Sequence, residues 1–279
     1  MAQYYYLIAG LPDITLDDGK LSYTVENFKT EIYPELTDND KKVIDLFYLQ
    51  YDNANLLDLL KNKESSINTK GNYSADELLA LIDGVKDGDQ PDKKYPSYLF
   101  FFLTEYFQLS DDDERLPENI LAAYYYEYAI GNKNQFVSSW FEFNLNVNNI
   151  FAALIARKYK YEIATHIIGN TEVSEAVKTS NARDFGLTGT ITYWEELVRI
   201  SEIHELTERE KKIDLLKWGW MEEESFFNYF TVEKLFVFLV KLETIERWLY
   251  LDKEAGSKQF REFIQNLKDD VRIPEEFRK

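Results

Sequence analysis

The stretch YDNANLLDLLKNK, residues 51–63, decides the fold. Two polar residues, Asp52 and Asn55, precede two leucine pairs at positions 56–57 and 59–60. Apolar residues that recur at three- and four-residue intervals form one face of an amphipathic α-helix. Neither Gly nor Pro interrupts the stretch, so it predicts a helix with a buried leucine face.

The same pattern returns about a third of the chain later, as NVNNIFAALIARK at residues 146–158. Without gaps, Asp52 aligns with Asn146 and Asn55 aligns with Asn149, and a basic residue follows each Asn eight positions later. Asp or Asn can cap or kink a helix, and Asn can bond a neighbouring backbone. Buried polar groups usually bond within a protein, which favours helix bridging over direct partner contact. The candidate partner-binding or helix-bridging residues are Asp52, Asn55, Lys63, Asn146, Asn149 and Arg157.

A weaker third copy, TVEKLFVFLVKL, spans residues 231–242. Thr231 and Lys234 take the two polar places, but Leu242 stands where the base would be. The alternative is that amphipathic helices share this pattern without being related. If the copies are true repeats, the chain forms three related helical units packed as one body, at residues 1–95, 96–185 and 186–279.

The composition favours a folded, all-α protein. Hydrophobic residues make up 45% of the 279 residues, which is too many for a disordered chain. Only 11 Gly and 6 Pro are present, too few for the many turns of an all-β fold. Thr37 is expected to cap a long helix, with a break near residues 51–53 as an alternative. Residues 134–159 predict one helix or a helix pair, and residues 4–9 are too few to distinguish a short strand from a helix.

The charge balance excludes some classes of partner. A net charge of −18 disfavours nucleic acid and anionic lipid, because phosphate binding needs clustered Lys and Arg. The charge keeps an aromatic-rich protein soluble, or it supplies an acidic face for a basic partner. We find no window near the ~20 apolar residues of a membrane span, no secretory signal and no Cys. These features predict a cytoplasmic protein without direct membrane insertion.

The sequence carries no catalytic, cofactor or metal motif that we can identify, so we expect a protein that is not an enzyme and binds no cofactor or metal. His166 stands in an apolar run and is expected in the core. His204, on a charged helix face, has acidic neighbours that could help to bind a metal, but a solvated face is the simpler interpretation.

An aromatic cluster follows in the last third of the chain. It is expected to fill the core for the most part, although Gly219 suggests a turn between Trp218 and Trp220, and these two tryptophans could contact a ligand. Its members are Trp194, Trp218, Trp220, Phe226, Phe227, Tyr229 and Phe230.

Four stretches, YYYLIAGLPDI, YDNANLLDLLKNK, NLNVNNIFAALIARKY and LFVFLVKLETIERW, carry a resemblance over most of the chain. The chain resembles an uncharacterised bacterial family encoded among the subunits of a V/A-type rotary ATPase in Bacteroidetes and chlamydiae. That family is similar in pattern to the ATPase C subunit, called d in eukaryotes, a helical funnel of three units. The third copy departs from the family phrase, which puts threefold symmetry in doubt.

The resemblance implies a non-catalytic coupling subunit that joins the central stalk to the membrane ring. The expected partners are these other ATPase subunits, and the expected location is the cytoplasmic side of the inner membrane, peripheral to it through the complex. Two other hypotheses stay open: a small-molecule-binding protein or enzyme that uses the region around Trp218 and Trp220, and a generic helical adaptor for peptides.

Overall fold

The protein is all-α, as the composition predicts. The computed structural model describes the backbone of residues 3–110 and 113–270, and the side chains of residues 3–110 and 113–253. Within these ranges the regular structure is entirely helical. The α-helices are α1 (Tyr5–Ala9), α2 (Val25–Asn27), α3 (Asp38–Lys61), α4 (Ala75–Asp87), α5 (Ser97–Tyr106), α6 (Pro117–Ile130), α7 (Gln135–Tyr159), α8 (Glu172–Thr179), α9 (Trp194–Ser201), α10 (Leu206–Glu224) and α11 (Val232–Asp270). One π-helical segment (Phe28–Ile32) and two 3-10 segments (Tyr33–Glu35 and Ala164–His166) complete the described structure.

The first residues form a helix, so the possible N-terminal strand is wrong. The backbone N–H of Ile8 donates to the Tyr4 carbonyl at 3.0 Å, and Gly10 closes the last turn of α1. Tyr4 also donates its N–H to the Phe230 carbonyl at 2.7 Å. This single long-range bond fixes α1 against the segment between α10 and α11.

Two long helices carry the repeated phrase in their interiors. Thr37 caps α3 by accepting from the Asp40 N–H, as the sequence predicts, and Asn134 caps α7 in the same way. The helix α3 runs without the break considered near residues 51–53, and residues 135–159 form one helix rather than two. Asp52 does not kink α3, because its carboxylate accepts from another segment instead of competing with the helix backbone.

Five helices close a ring. The helix α3 packs against α6, α6 against α7, α7 against α10, α10 against α11, and α11 again against α3. The buried side chains of these helices belong to one contiguous core, with a small second cluster at Leu16, Trp218 and Ile245. The ring places five helix faces around a common interior. The funnel shape itself stays a prediction.

The third copy of the phrase occupies a different place in its helix. Thr231 directly precedes the first residue of α11, whereas Asp52 and Asn146 lie well inside α3 and α7. Lys234 therefore lies in the first turn of α11, where its N–H donates to the Thr231 carbonyl at 3.1 Å. The division into three units stays a prediction. None of the helices in the described part of the chain is long and apolar enough to span a bilayer.

Candidate functional site

Asn55 binds the backbone of a distant loop. Its side-chain Nδ2 donates to the Asn68 carbonyl at 2.9 Å, and its Oδ1 accepts from the Asn68 N–H at 2.7 Å. The side-chain amide therefore pairs with both polar groups of one residue, as a neighbouring strand would. Asn55 is only 3% exposed, so these bonds satisfy a buried polar side chain.

Asp52, one turn before Asn55, holds the end of the same loop. Its two carboxylate oxygens accept from the N–H groups of Asn72 at 2.9 Å and Tyr73 at 3.1 Å. Ser74 follows at once and caps α4. We call Asp52, Asn55 and loop residues 68–73 the first clamp, because two side chains of α3 fix the loop that starts α4.

Asn146 and Asn149 of α7 make the second clamp with loop residues 168–171. Asn149 Nδ2 donates to the Ile168 carbonyl at 2.7 Å, and its Oδ1 accepts from the Ile168 N–H at 3.0 Å. Asn146 Oδ1 accepts from the Thr171 hydroxyl at 2.6 Å, and Thr171 caps α8. The second clamp thus repeats two features of the first. In each clamp, one Asn side chain makes two hydrogen bonds to the backbone of a single loop residue. A second polar side chain, one turn earlier in the long helix, bonds the loop at or next to the residue that caps the following helix.

A lysine that lies outside the repeated phrase also binds the loop of each clamp. Lys29 donates to the carbonyls of Lys70 and Gly71 in the first loop, and Lys178 donates to the Gly169 carbonyl at 2.8 Å in the second. Burial lowers the pKa of Lys29. The two lysines lie outside the repeated phrase, on opposite sides of it in sequence, so a phrase alignment does not find them.

The two basic members of the phrase do not lie in equivalent places. Lys63 lies just beyond α3 and forms an exposed ion pair with Asp83 at 2.7 Å. Arg157 lies within α7, donates to the Arg183 carbonyl at 2.6 Å, and stacks on the buried Phe185 ring at 3.7 Å. An exposed ion pair contributes little to stability, whereas a stacked and hydrogen-bonded Arg fixes its neighbours. The structure thus brings four of the six candidates into two clamps, and each base lies apart.

A second candidate site is an exposed aromatic surface at the end of the molecule that holds α1. Its rings form a chain of contacts: Phe226 lies 5.1 Å from Phe227 and 6.1 Å from Tyr229, and Phe230 lies 4.3 Å from Tyr5, centroid to centroid. Large contiguous apolar patches are uncommon on monomers and mark interaction sites. We call the aromatic surface these five rings together with the exposed Tyr6, which follows Tyr5 in α1; the five rings are Tyr5, Phe226, Phe227, Tyr229 and Phe230.

The aromatic surface corrects the expectation that the cluster in the last third of the chain fills the core. Phe227 is 84% exposed and Tyr6 is 95% exposed. Only Trp194 and Trp218 of the predicted cluster are buried. The four exposed members lie in the short connection between α10 and α11, which contacts the start of α1 at Phe230.

A family model described as "Protein of unknown function (DUF2764)" matches residues 1–271. The chain belongs to this family. Neither the curated proteins nor the solved structures contain a match. The family description names neither an activity nor a partner.

In this DUF2764 protein, Trp218 and Trp220 serve packing. Gly219 lies inside α10, so the turn expected there is wrong. Trp220 stacks on Phe143 at 4.7 Å with nearly parallel rings, and Trp218 lies under the Lys241 ammonium at 4.3 Å. The two tryptophans lie on different faces of one helix and form no common site.

Neither histidine lies where the sequence suggests. His166 is exposed at the end of a 3-10 segment and not buried, whereas the next residue, Ile167, is the one that enters the core. His204 lies in the turn between α9 and α10 rather than on a helix face. The neighbouring Glu205 is engaged as the cap of α10. Among the described residues, no group of three or more His, Asp or Glu side chains could hold a metal ion.

We expect Asp52 to make the protein less stable as the pH rises. Burial raises the pKa of Asp52 to about 6, although two backbone N–H groups oppose this rise. Since the folded-state pKa exceeds the ordinary value of 3.8, protonation favours the folded state, and this stability is lost as the pH passes through about 6. By the linkage relation the whole loss is about 3 kcal/mol, of which about 1.3 kcal/mol falls between pH 5 and pH 7.

Urea unfolding at pH 5 and pH 7 measures this effect, and D52N removes it. The difference in unfolding free energy between wild type and D52N should be larger in favour of the wild type at pH 5 than at pH 7. A destabilisation by D52N that does not depend on pH cancels in this comparison. The second clamp supplies the converse variant, because N146D places a carboxyl at the aligned position and should introduce a similar dependence. Parallel pH profiles for wild type and D52N would contradict the prediction.

Gly71 is expected to tolerate no side chain. A Cβ built there would overlap Asp52 Oδ1 and crowd Asn55 Nδ2, so Gly71→Ala must displace the first clamp. Overpacking of this kind costs about 1–3 kcal/mol. Gly19→Ala is the matched control, because a Cβ at Gly19 meets nothing within 4 Å. Equal unfolding free energies for the two variants would show that the first clamp accommodates a Cβ at residue 71 without strain.

Proposed function

We propose that this protein is a non-catalytic coupling subunit of a V/A-type rotary ATPase. In this role it would join the central stalk to the membrane ring on the cytoplasmic side, without entering the membrane. The observation that carries the proposal is the repetition of one clamp in α3 and α7. A repeated helical unit is what the resemblance to the C subunit implies.

The clamps suit a part that transmits torque. Each ties the loop before a short helix to the middle of a long helix, through partly buried hydrogen bonds between buried Asn side chains and the loop backbone. Buried polar pairs are costly to break, because each separated group is left unsatisfied. The long and short helices of each unit therefore move together, which a coupling element requires.

The aromatic surface supplies a place for the partner. Aromatic side chains dominate the buried centres of protein interfaces, where they cover large areas at low entropic cost. Glu223 and Glu224, at the end of α10 beside this surface, are both exposed. A partner segment with apolar side chains and a basic rim complements this combination. We therefore assign the aromatic surface to contact with a stalk or ring subunit.

Co-purification tests the proposal. The chain is tagged in its own host, the membranes are solubilised gently, and the co-purifying proteins are identified. We expect ATPase catalytic, stalk and ring subunits in a fixed ratio. A monomer that leaves an intact, functional ATPase behind would overturn the coupling role, and recovery of an unrelated protein would favour the adaptor hypothesis.

The small-molecule hypothesis has its own observation in its favour. It predicts a cavity with convergent polar groups and perturbed carboxyl groups. Such a cavity lies inside the ring of five helices and not at Trp218 and Trp220, and it is compatible with either role.

A further inference from the structure

A cavity of about 240 Å³ lies inside the ring formed by α3, α6, α7, α10 and α11. All five helices contribute side chains to its wall. At about 30 Å³ for each water, the volume corresponds to roughly eight water-sized atoms or groups. The apolar part of the wall is largely aromatic, formed by Phe47, Tyr125, Trp140, Phe141 and Phe236.

One pair of charges in the wall is already satisfied. Arg247 of α11 donates to Asp214 Oδ2 of α10 at 2.5 Å, and Trp248 Nε1 donates to the same oxygen at 2.7 Å. This ion pair fixes α10 against α11. It consumes the strongest interactions of both groups, so neither supplies a full free charge to the cavity.

A second pair of opposite charges faces the same cavity without being joined. Lys217 of α10 donates to the neutral Asn148 side chain at 3.0 Å, and no described acidic residue forms an ion pair with it. Glu243 of α11 forms no ion pair and no side-chain hydrogen bond with any described residue. The ring thus presents one cation and one anion to the interior, neither of them in an ion pair with a described residue, although Asp214 and Glu243 act on Lys217 and Arg247 acts on Glu243 through space.

Burial in the cavity wall disfavours the charged forms of Lys217 and Glu243. Burial lowers the pKa of Lys217 to about 8 and raises the pKa of Glu243. Both shifts move the group toward its neutral form, which is the response of a charge that lacks sufficient compensation. A ligand that brings a carboxylate to Lys217 and a cation to Glu243 would reverse both shifts.

Tyr126 adds a directional donor. Its hydroxyl oxygen accepts from Asn144 Nδ2 at 2.8 Å and from Asn148 Nδ2 at 3.4 Å. These two donors leave the hydroxyl proton free to be donated, and the described residues give it no acceptor. Tyr126 can therefore donate to a ligand oxygen near the Lys217 end of the cavity.

We propose that this cavity binds a small zwitterion of the amino-acid type. The ligand carboxylate lies toward Lys217 and the Tyr126 hydroxyl, the ligand ammonium lies toward Glu243, and a short apolar side chain packs on the aromatic wall. A ligand that carries only a carboxylate or only an amine can form an ion pair with only one of the two charged side chains. This inference does not depend on the coupling role, because it concerns the interior of the ring.

Titration calorimetry on the full-length protein tests the proposal. The probes are glycine, alanine, serine, valine and proline, with acetate, propionate, methylamine and ethylamine as analogues that lack one charge. We expect at least one amino acid to bind, and the analogues to bind at least about tenfold more weakly. No heat from any amino acid up to about 10 mM, or equal binding of the single-charge analogues, would overturn the proposal.

Two variants locate the binding. Lys217→Met and Glu243→Gln should each weaken the best amino acid at least about tenfold. Lys212→Met and Glu208→Gln, exposed positions on α10, should leave the affinity unchanged. Far-ultraviolet circular dichroism establishes that the variants are folded. Unchanged affinity in folded Lys217→Met and Glu243→Gln would place binding elsewhere and contradict the assignment, whereas a variant that does not fold leaves the wild-type comparison of probes as the deciding result.

Discussion

Replacing Asn149 with Ala is expected to lower the free energy of unfolding by about 2–4 kcal/mol. Asn149 is 2% exposed and makes three side-chain hydrogen bonds, two with Ile168 and one with the Ser174 hydroxyl at 2.9 Å. Alanine leaves the N–H of Ile168 without its side-chain partner and leaves the Ile168 carbonyl with only the Ser174 hydroxyl at 3.3 Å. The loss of a bidentate contact to buried backbone is among the costly single substitutions.

Asn55→Ala should have a similar cost, because Asn55 holds Asn68 through the same two bonds. Urea unfolding followed by tryptophan fluorescence measures both variants. Asn39→Ala is the matched control, since Asn39 is exposed in the first turn of α3, and its change should stay within about 0.5 kcal/mol.

The double variant Asn55→Ala/Asn149→Ala adds a test of the repeat. If the two clamps are separate units, their costs should add within about 0.5 kcal/mol. If Asn55→Ala and Asn149→Ala each cost no more than the Asn39 control, the clamps would not stabilise the fold.

The second large effect concerns binding rather than stability. The double variant Tyr6→Ser/Phe227→Ser should reduce partner affinity by at least about 30-fold, which corresponds to about 2 kcal/mol for the loss of an interface anchor. Because the two side chains are 95% and 84% exposed, the unfolding free energy should change by less than about 0.5 kcal/mol. Loss of binding without loss of stability is the signature of an interface.

Quantitative co-purification measures this effect against a matched control. Tyr159→Ser/Tyr161→Ser also replaces two exposed aromatic residues, 59% and 61% exposed, which lie outside the aromatic surface. This control should retain the partner. Equal recovery of the same partner by both double variants would remove the aromatic surface from the proposed interface, although the coupling role itself could still be tested through other surfaces.

The difference between the two candidate sites explains why one was foreseen and the other was not. The clamp residues stand in a repeated phrase of short polar residues on an apolar helix face, and such residues need partners when the face is buried. The phrase therefore indicates polar bonding before the partner is known. The aromatic surface has no such signal, because Phe226 and Phe227 resemble core residues in every local respect.

The sequence by itself determined the helical class, the cap at Thr37, and the related positions of Asp52 and Asn146. These features depend on residues within a few positions of one another along one helix, and helical periodicity records them directly. Only the tertiary structure decided that α3 is unbroken, that Asn55 and Asn149 hold loops, that the aromatic surface is exposed in the described part of the chain, and that Lys217 and Glu243 face one cavity without an ion pair between them. Each of these depends on which distant elements meet in space, and the pattern within a single helix does not specify its neighbours.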